Sequence, residues 1–332
     1  MKRLDLLFHS YHIVDRLSRR SESRSLDHAF NQRYSIWLMV KIHLAISWQG
    51  WTRNLFYEKL HLEGRALRRE LRLPNRLPSY SQLKKRMRRP AFEQALRAVL
   101  RESGEEAVRR MEPRELESAL MDLTNVPSGP SDRQARLGTD GKDWFRGYKL
   151  GILTSRSGII LGAAAVTANL GERHVSARLL RSAGQVISEL GDRRVKYLLA
   201  DAGFAGDVTY RQAHRYLRCR VLSPPRRKAL RRKKWRSRRL EKMRWRSPHR
   251  YRDWGFWRTP TARRLYRQRT QIERRLSQLT DAPFAVDRRP RGTVGVAAVL
   301  RWAESKLILW NVAVNDNIQS GREVWGLKPY VA

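Results

Sequence analysis

Val195-Lys196-Tyr197-Leu198-Leu199-Ala200-Asp201-Ala202-Gly203-Phe204-Ala205-Gly206 is the stretch on which the reading of this chain turns. Its first half is a short apolar run of strand character, and its second half is a turn that glycine permits. The carboxylate of Asp201 stands where the run stops. Taking a carboxylate out of water is costly unless it is paired or coordinated, so an acid at the end of an apolar strand calls for a reason. Upstream, Ala119-Leu120-Met121-Asp122-Leu123-Thr124 repeats the arrangement, with Asp122 alternating against apolar neighbours. Two such strands placed side by side would bring both carboxylates to the middle of a sheet.

The surrounding pattern supplies that sheet. Strand-like runs fall at 118–123, 147–154, 158–166, 195–200 and 219–222. Helical spacing fills 175–190, with Leu179, Leu180, Val186, Ile187 and Leu190, and a second helix is predicted over 208–217. Three strands, a crossover helix, a strand, a helix and a strand predict an α/β fold, a mixed sheet with helices on its faces. That order is the order of a ribonuclease-H-like core. Periodicity alone permits other mixed folds, and the position of the acids favours this one.

Residues 1–112 read as helical, with apolar residues three and four apart in Ile36, Trp37, Met39, Val40, Ile42, Leu44 and Ile46, and again in Phe92, Leu96, Val99 and Leu100. Ser79 followed by Gln82 is a capping-box start for a helix carrying Lys84, Lys85, Arg86, Arg88 and Arg89. Two readings of that basic helix stay open: the recognition helix of a helix-turn-helix, or a solvated helix against its neighbour. The expected organisation is a helical, DNA-binding region over 1–112 and a catalytic domain over 113–332.

Within the second domain, 226–264 is rich in Lys and Arg and is interleaved with Trp235, Trp245, Tyr251, Trp254, Phe256 and Trp257. It reads as an insertion before the last catalytic helix. A like-charge block usually marks a solvated tail, whereas regular aromatics in a basic groove make stacking platforms for unpaired bases, which makes Trp235, Trp245 and Trp254 candidate DNA contacts. The amphipathic run 294–314, interrupted by Arg301, Glu304 and Lys306, is expected to pack onto the core.

Composition narrows the function class. Of 332 residues, 70 are Lys or Arg and 31 are Asp or Glu, a net charge of +39, and Arg far outnumbers Lys. A field of that sign attracts polyanions, above all nucleic acid, and guanidinium suits bidentate phosphate contacts. The single Cys219 excludes an intrachain disulfide framework and leaves too few thiolates for a zinc finger. The longest apolar run, 159–166, is too short to cross a bilayer, and the N-terminus lacks the apolar core of a secretory signal. The expectation is a cytoplasmic, nucleoid-associated protein with no membrane partner. No glycine-rich phosphate loop of the Walker type is present.

A third acid completes the set. In Tyr266-Arg267-Gln268-Arg269-Thr270-Gln271-Ile272-Glu273, Arg269 lies one turn and Tyr266 two turns before Glu273, so the three share a helix face. Taken alone, that face reads equally as a surface ion-pair ladder. Oxygen ligands select hard cations such as Mg²⁺ or Mn²⁺, and two ions about 4 Å apart can clamp the attacking and leaving oxygens of an in-line phosphoryl displacement.

These elements resemble the DDE transposases of bacterial insertion sequences. The matching pieces are Met121-Asp122-Leu123-Thr124, then Leu198-Leu199-Ala200-Asp201-Ala202-Gly203-Phe204, then Tyr266, Arg269 and Glu273 at the spacing of the third-acid signature, with Trp144-Phe145-Arg146-Gly147-Tyr148-Lys149-Leu150 similar to the family's second strand. The resemblance implies that Asp122, Asp201 and Glu273 are the catalytic residues and ligate two Mg²⁺ or Mn²⁺ ions, and that Tyr266, Arg269 and Lys149 contact DNA. A Lys that the family often has seven residues beyond the Glu is Thr280 here, so a contact to the transposon end is either missing or supplied by Arg274 or Arg275. His174 stands near the family's His-Asp pair, as an auxiliary of the site or as a packed or surface histidine. The implied activity is metal-dependent cleavage and strand transfer of double-stranded DNA at the inverted-repeat ends of an insertion sequence and at target DNA, by a homodimer on DNA. Two other readings stand beside it: a catalytically silent DNA-binding protein derived from a transposase, and an RNA-processing nuclease of the same fold.

Overall fold

Around Asp122 the chain is extended. Ser118–Pro127 forms strand β1 of the computed structural model, which describes residues 3–20, 26, 34–139, 143–191, 193–224, 234–281 and 284–324. β1 is flanked on both sides, antiparallel to β3 (Trp144–Ser155) and parallel to β5 (Tyr197–Ala200). With β2 (Arg136–Thr139), β4 (Ile160–Thr167) and β6 (Arg220–Leu222), the sheet runs β2-β3-β1-β5-β6, and β4 also pairs with β3. Antiparallel neighbours need only short connections, but β5 lies parallel to β1 and must be reached by a crossover. Helix α7 (Glu172–Ser188), given its number in chain order, makes that crossover.

α7 sits close because β3 has no side chain where the helix crosses it. A Cβ on Gly151 would lie 2.1 Å from the Cγ1 of Val175. The apolar stripe Val175, Leu179, Leu180, Val186 and Ile187 is buried, as its spacing predicts. α8 (Asp207–Leu217) then leads to β6, and α9 (Lys234–Arg246), α10 (Pro248–Trp257) and α11 (Pro260–Leu276) follow. The mixed α/β class expected from sequence is what the chain forms. One strand was not legible: β2, four residues reading Arg-Leu-Gly-Thr, has no apolar alternation and is held by its pairing with β3.

The basic insertion is in part packed structure. Residues 226–233 lie outside the described residues, but α10 closes over the edge strand β6. The carboxylate of its Asp253 accepts the backbone N–H of Val221 at 2.9 Å, and Phe256 stacks on Tyr197 with ring centroids 5.8 Å apart. An edge strand covered in this way no longer offers free backbone groups to another chain.

Two compact units result, Val108–Gln278 around the sheet, and Met1–Ala107 together with Leu279–Ala332. The second unit is helical: α1 (Arg3–Ser18), α2 (Ile36–Gln49), α3 (Arg53–Glu70), α4 (Tyr80–Arg86), the start of α5 (Pro90–Arg110), and α12 (Val296–Gln319), with the short α6 (Pro113–Leu116) belonging to the sheet unit. The capping box read from Ser79 and Gln82 opens α4. α12 packs with α1 and α2. Its Arg301, Glu304 and Lys306, which read as interruptions, are buried. Arg301 donates to Glu93 at 2.6 Å, Arg97 lies 3.5 Å from Glu304, and the Lys306 ammonium sits 4.8 Å from the centroid of the Trp302 ring. Among the described residues, no helix is long and apolar enough to cross a membrane.

Candidate active site

Parallel pairing places the two aspartates. Met121 of β1 is in register with Ala200 of β5, so Asp122 and Asp201 come one step further along adjacent strands. Strands in a sheet are about 4.8 Å apart, which brings the two residues side by side. Asp201 ends its strand in an extended conformation and its Oδ1 accepts the N–H of Ala202 at 2.6 Å, capping the short turn Ala202–Phe204. Ser223 Oγ donates to the Asp201 carbonyl at 2.7 Å and so fixes the strand end from the neighbouring strand's exit.

α11 brings the remaining groups. Tyr266 donates to the carbonyl of Ala200 at 3.4 Å, which ties the helix to the end of β5. One turn on, the Arg269 guanidinium donates to Glu273 and stands 4.0 Å from Asp201. The structure therefore brings Asp122, Asp201, Tyr266, Arg269 and Glu273 into one site, from two adjacent strands and one helix face.

Three carboxylates face one guanidinium in this site, so negative charge is in excess. Burial raises the Asp122 carboxyl above its ordinary value and the negative charge of Asp201 adds to that, against the Leu123 N–H and Arg269. Glu273 is raised as well, by burial first and then by Asp122 and Asp201, with Arg269 opposing. For Arg269 burial works to lower the value, but Tyr266, Glu273, Asp201 and Asp122 together outweigh it and hold the guanidinium firmly charged. Glu273 feels both aspartates and Asp122 feels Asp201, the coupling of groups that share a site.

The donor set is all oxygen, the chemistry that suits a hard divalent cation. A cation there would offset both the burial and the carboxylate repulsion that raise Asp122 and Glu273. As the side chains stand, no three His, Cys, Asp or Glu residues among the described residues are gathered into a coordination sphere. Arg269 takes that space, serving as the counter-charge. The donor types fit a divalent ion, which all three carboxylates would hold only with Glu273 freed from Arg269.

The other expected residues are dispersed. Lys149 pairs in register with Asn125, three residues and so an odd step along from the Asp122–Ile152 pair, which puts it on the opposite face of the sheet, the side that α7 covers, where it is buried. That strand parity places Lys149, expected to contact DNA, away from the carboxylates. Arg274 is exposed on α11, Trp245 is exposed on α9 and Trp254 is half-buried on α10. Trp235 and Arg275 fall within helices, and their side chains lie outside the described residues. His174 is exposed in the first turn of α7, and Thr280 ends the short turn Ser277–Thr280. Sequence reading did not single out Trp257, whose ring meets Tyr266 edge-on at 4.8 Å and 85°. Its only signal was the aromatic spacing of the insertion.

Comparison with known proteins adds one match. The family model described as the transposase DDE domain covers residues 114–311, more than half of the chain. No curated protein and no solved structure matches.

Proposed function

The chain belongs to the transposase DDE-domain family, and on that premise we propose that it cuts and rejoins double-stranded DNA at the terminal inverted repeats of an insertion sequence, using Asp122, Asp201 and Glu273. The family generally uses a divalent metal, and DNA is the substrate it implies. The observation that carries the reading is the convergence of these three acids, from β1, the end of β5 and α11, around one guanidinium.

Two Mg²⁺ or Mn²⁺ ions held by these carboxylates would supply Lewis-acid stabilisation of the charge that develops on the phosphoryl oxygens. The chain's own residues do the rest. Asp122, fixed by its pairing with β3, and Asp201, fixed just past the end of β5 by its cap on the Ala202–Phe204 turn and the bond from Ser223, form the rigid side of the site. Glu273 is the adjustable member, on a helix anchored by the Tyr266 hydroxyl. With Glu273 holding the cation, Arg269 would be free to contact a DNA phosphate. Its Nε, buried and without a hydrogen-bond partner, already lacks an acceptor of that kind. Trp257, packed on Tyr266, holds the helix face in place. Trp235, Trp245 and Trp254 on the insertion stack on bases near the cut, and Arg274 or Arg275 contacts the transposon end.

On this reading, the helical unit, residues 1–107 with the C-terminal 279–332 and not the first 112 residues alone, engages DNA, the sheet unit 108–278 forms a ribonuclease-H-like catalytic domain, and two copies act together, one on each end, at the nucleoid. The test is cleavage of an end-bearing duplex in Mg²⁺. The expected outcome is cutting that Asp201→Ala abolishes while duplex binding persists. Binding with no cutting by the unaltered chain would make it a silent DNA-binding protein. Cutting of RNA in preference to DNA would make it an RNA-processing nuclease.

A further inference from the structure

A second polar site lies in the helical unit. A cavity of about 340 Å³ opens among the start of α3, Tyr80 and Met87 beside α4, the turn Pro290-Arg291-Gly292-Thr293, and α12. That volume falls within the size range of small-molecule sites, roughly 300–1,000 Å³, and exceeds several-fold what one phosphate group needs. Its lining includes Arg53, Arg291, Arg301 and His43, and no carboxylate.

Arg301 is matched by Glu93, which stands outside the lining. Arg53 and Arg291 have no acidic partner among the described residues. Arg53 is half-buried, and its guanidinium is held below its ordinary value, by burial first and also by the nearby Arg88. A half-buried cation beside another cation is a cost that an anionic ligand would remove. The backbone agrees with the side chains. Thr52 caps α3 by accepting the N–H of Leu55 at 3.1 Å, so the amides of Arg53 and Asn54, in the first turn at the cavity wall, keep no helical acceptor.

Aromatic rings occupy much of the rest of the wall: Trp51, Tyr80 and Trp302. Two of them are braced from behind, Trp51 by Phe56 at 6.4 Å and Tyr80 by Tyr57 at 5.8 Å. His43 supplies a further polar edge: its Nε2 lies 3.1 Å from the Arg301 carbonyl, which can only accept, so its Nδ1 is a bare acceptor and has no partner.

We propose that this cavity binds a single unpaired nucleotide, its phosphate held by Arg53, Arg291 and the first amides of α3, and its base set among Trp51, Tyr80 and Trp302. Cations without counter-ions select the phosphate, the aromatic wall selects a planar base, and the volume takes both. Rings that stack on bases tolerate any base, so the site reads a strand that has been opened and not a sequence. The inference does not rest on the carboxylate site, which is formed by other residues.

The test is calorimetric titration of the full chain, without divalent metal and at high salt to screen exposed phosphate contacts. The probes are deoxyadenosine monophosphate, a short 5′-phosphorylated single strand, and inorganic phosphate. The nucleotide is expected to bind about tenfold or more tightly than phosphate, and Arg53→Gln or Trp51→Leu to weaken it by about tenfold or more. Arg291→Gln, in an exposed turn, is a second variant that keeps the test open if Arg53→Gln fails to fold. Arg136→Gln, on strand β2 of the other unit, is the control for general charge. Equal weakening by Arg53→Gln and Arg136→Gln overturns the proposal, as does phosphate binding as tightly as the nucleotide. Competition of the single strand with the mononucleotide assigns the site to opened DNA, and a mononucleotide that binds alone assigns the same chemistry to a free nucleotide. Asp201→Asn leaves this binding unchanged, so loss of cutting and loss of the cavity are read separately.

Discussion

Arg269 sets the charge balance of the carboxylate cluster, touching Glu273 and approaching Asp201. Arg269→Gln removes the one cation there, leaves three carboxylates to repel one another, and takes away the phosphate contact. Cleavage of a bound end is expected to fall by about a hundredfold, the scale at which a pre-positioned charge-stabilising donor matters, with a smaller loss in duplex affinity. Single-turnover cleavage beside a binding isotherm separates the two. Glu304 shows the opposite use of an acid. Deep burial lifts its carboxyl to about 8 from an ordinary 4.5, although Arg97 opposes the shift. The folded state therefore holds this proton more tightly than the unfolded chain. Stability of the helical unit is greatest at low pH on this account, declines as pH rises from 4.5 to about 8, and is flat above that. Glu304→Gln should remove the slope and raise the melting temperature at pH 8, as read by calorimetry across that range. The residue types were visible in sequence. That Glu273 is half-exposed at a site and Glu304 wholly buried in a helix bundle was not, because both stand on helices with basic neighbours and only packing separates them.

Strand β6 depends on α10, and two substitutions at Asp253 test that dependence. Asp253→Ala leaves the Val221 N–H without its acceptor at a covered sheet edge, a loss of about 1–3 kcal/mol. Asp253→Asn keeps an oxygen for Val221 and sheds a buried charge whose carboxyl burial has raised to about 6, so it should cost little at neutral pH. Hydrogen exchange at Val221 distinguishes the pair. β2 rests on Gly138, where an added Cβ would lie 2.1 Å from the backbone oxygen of Ala168. Backbone cannot swing aside as a side chain can, so Gly138→Ala should detach β2 from β3, seen as lost amide protection in 136–139 with the rest of the sheet retained. Sequence periodicity located β1, β3, β4, β5 and α7, because each buries an apolar set at a regular spacing. β2 escaped it, since four residues held by one partner strand need no apolar alternation. The insertion escaped in part too. Its charge suggested solvent, while Asp253 and Phe256 turn one face of α10 to the sheet.

On the proposed function, a net charge of +39 would make DNA binding a property of much of the surface and cutting the property of a few atoms. Duplex affinity should therefore fall steeply as salt rises, in proportion to the phosphates neutralised, and Asp201→Ala should leave that slope unchanged while abolishing cleavage. Equilibrium binding across a salt series checks this. The same division marks what was legible. By itself the sequence determined the strongly basic charge, the mixed α/β class, the positions of three candidate acids and the shared helix face of Tyr266, Arg269 and Glu273, since charge, periodicity and spacing are local properties of a chain. Only the tertiary structure decided that Asp122 and Asp201 stand side by side, because parallel register between strands far apart in sequence is set by long-range pairing. It also decided that Lys149 faces away from them, by the parity of its strand, and that Arg269 occupies the space between the acids. Which charges meet, and which are buried apart, follows from packing in three dimensions.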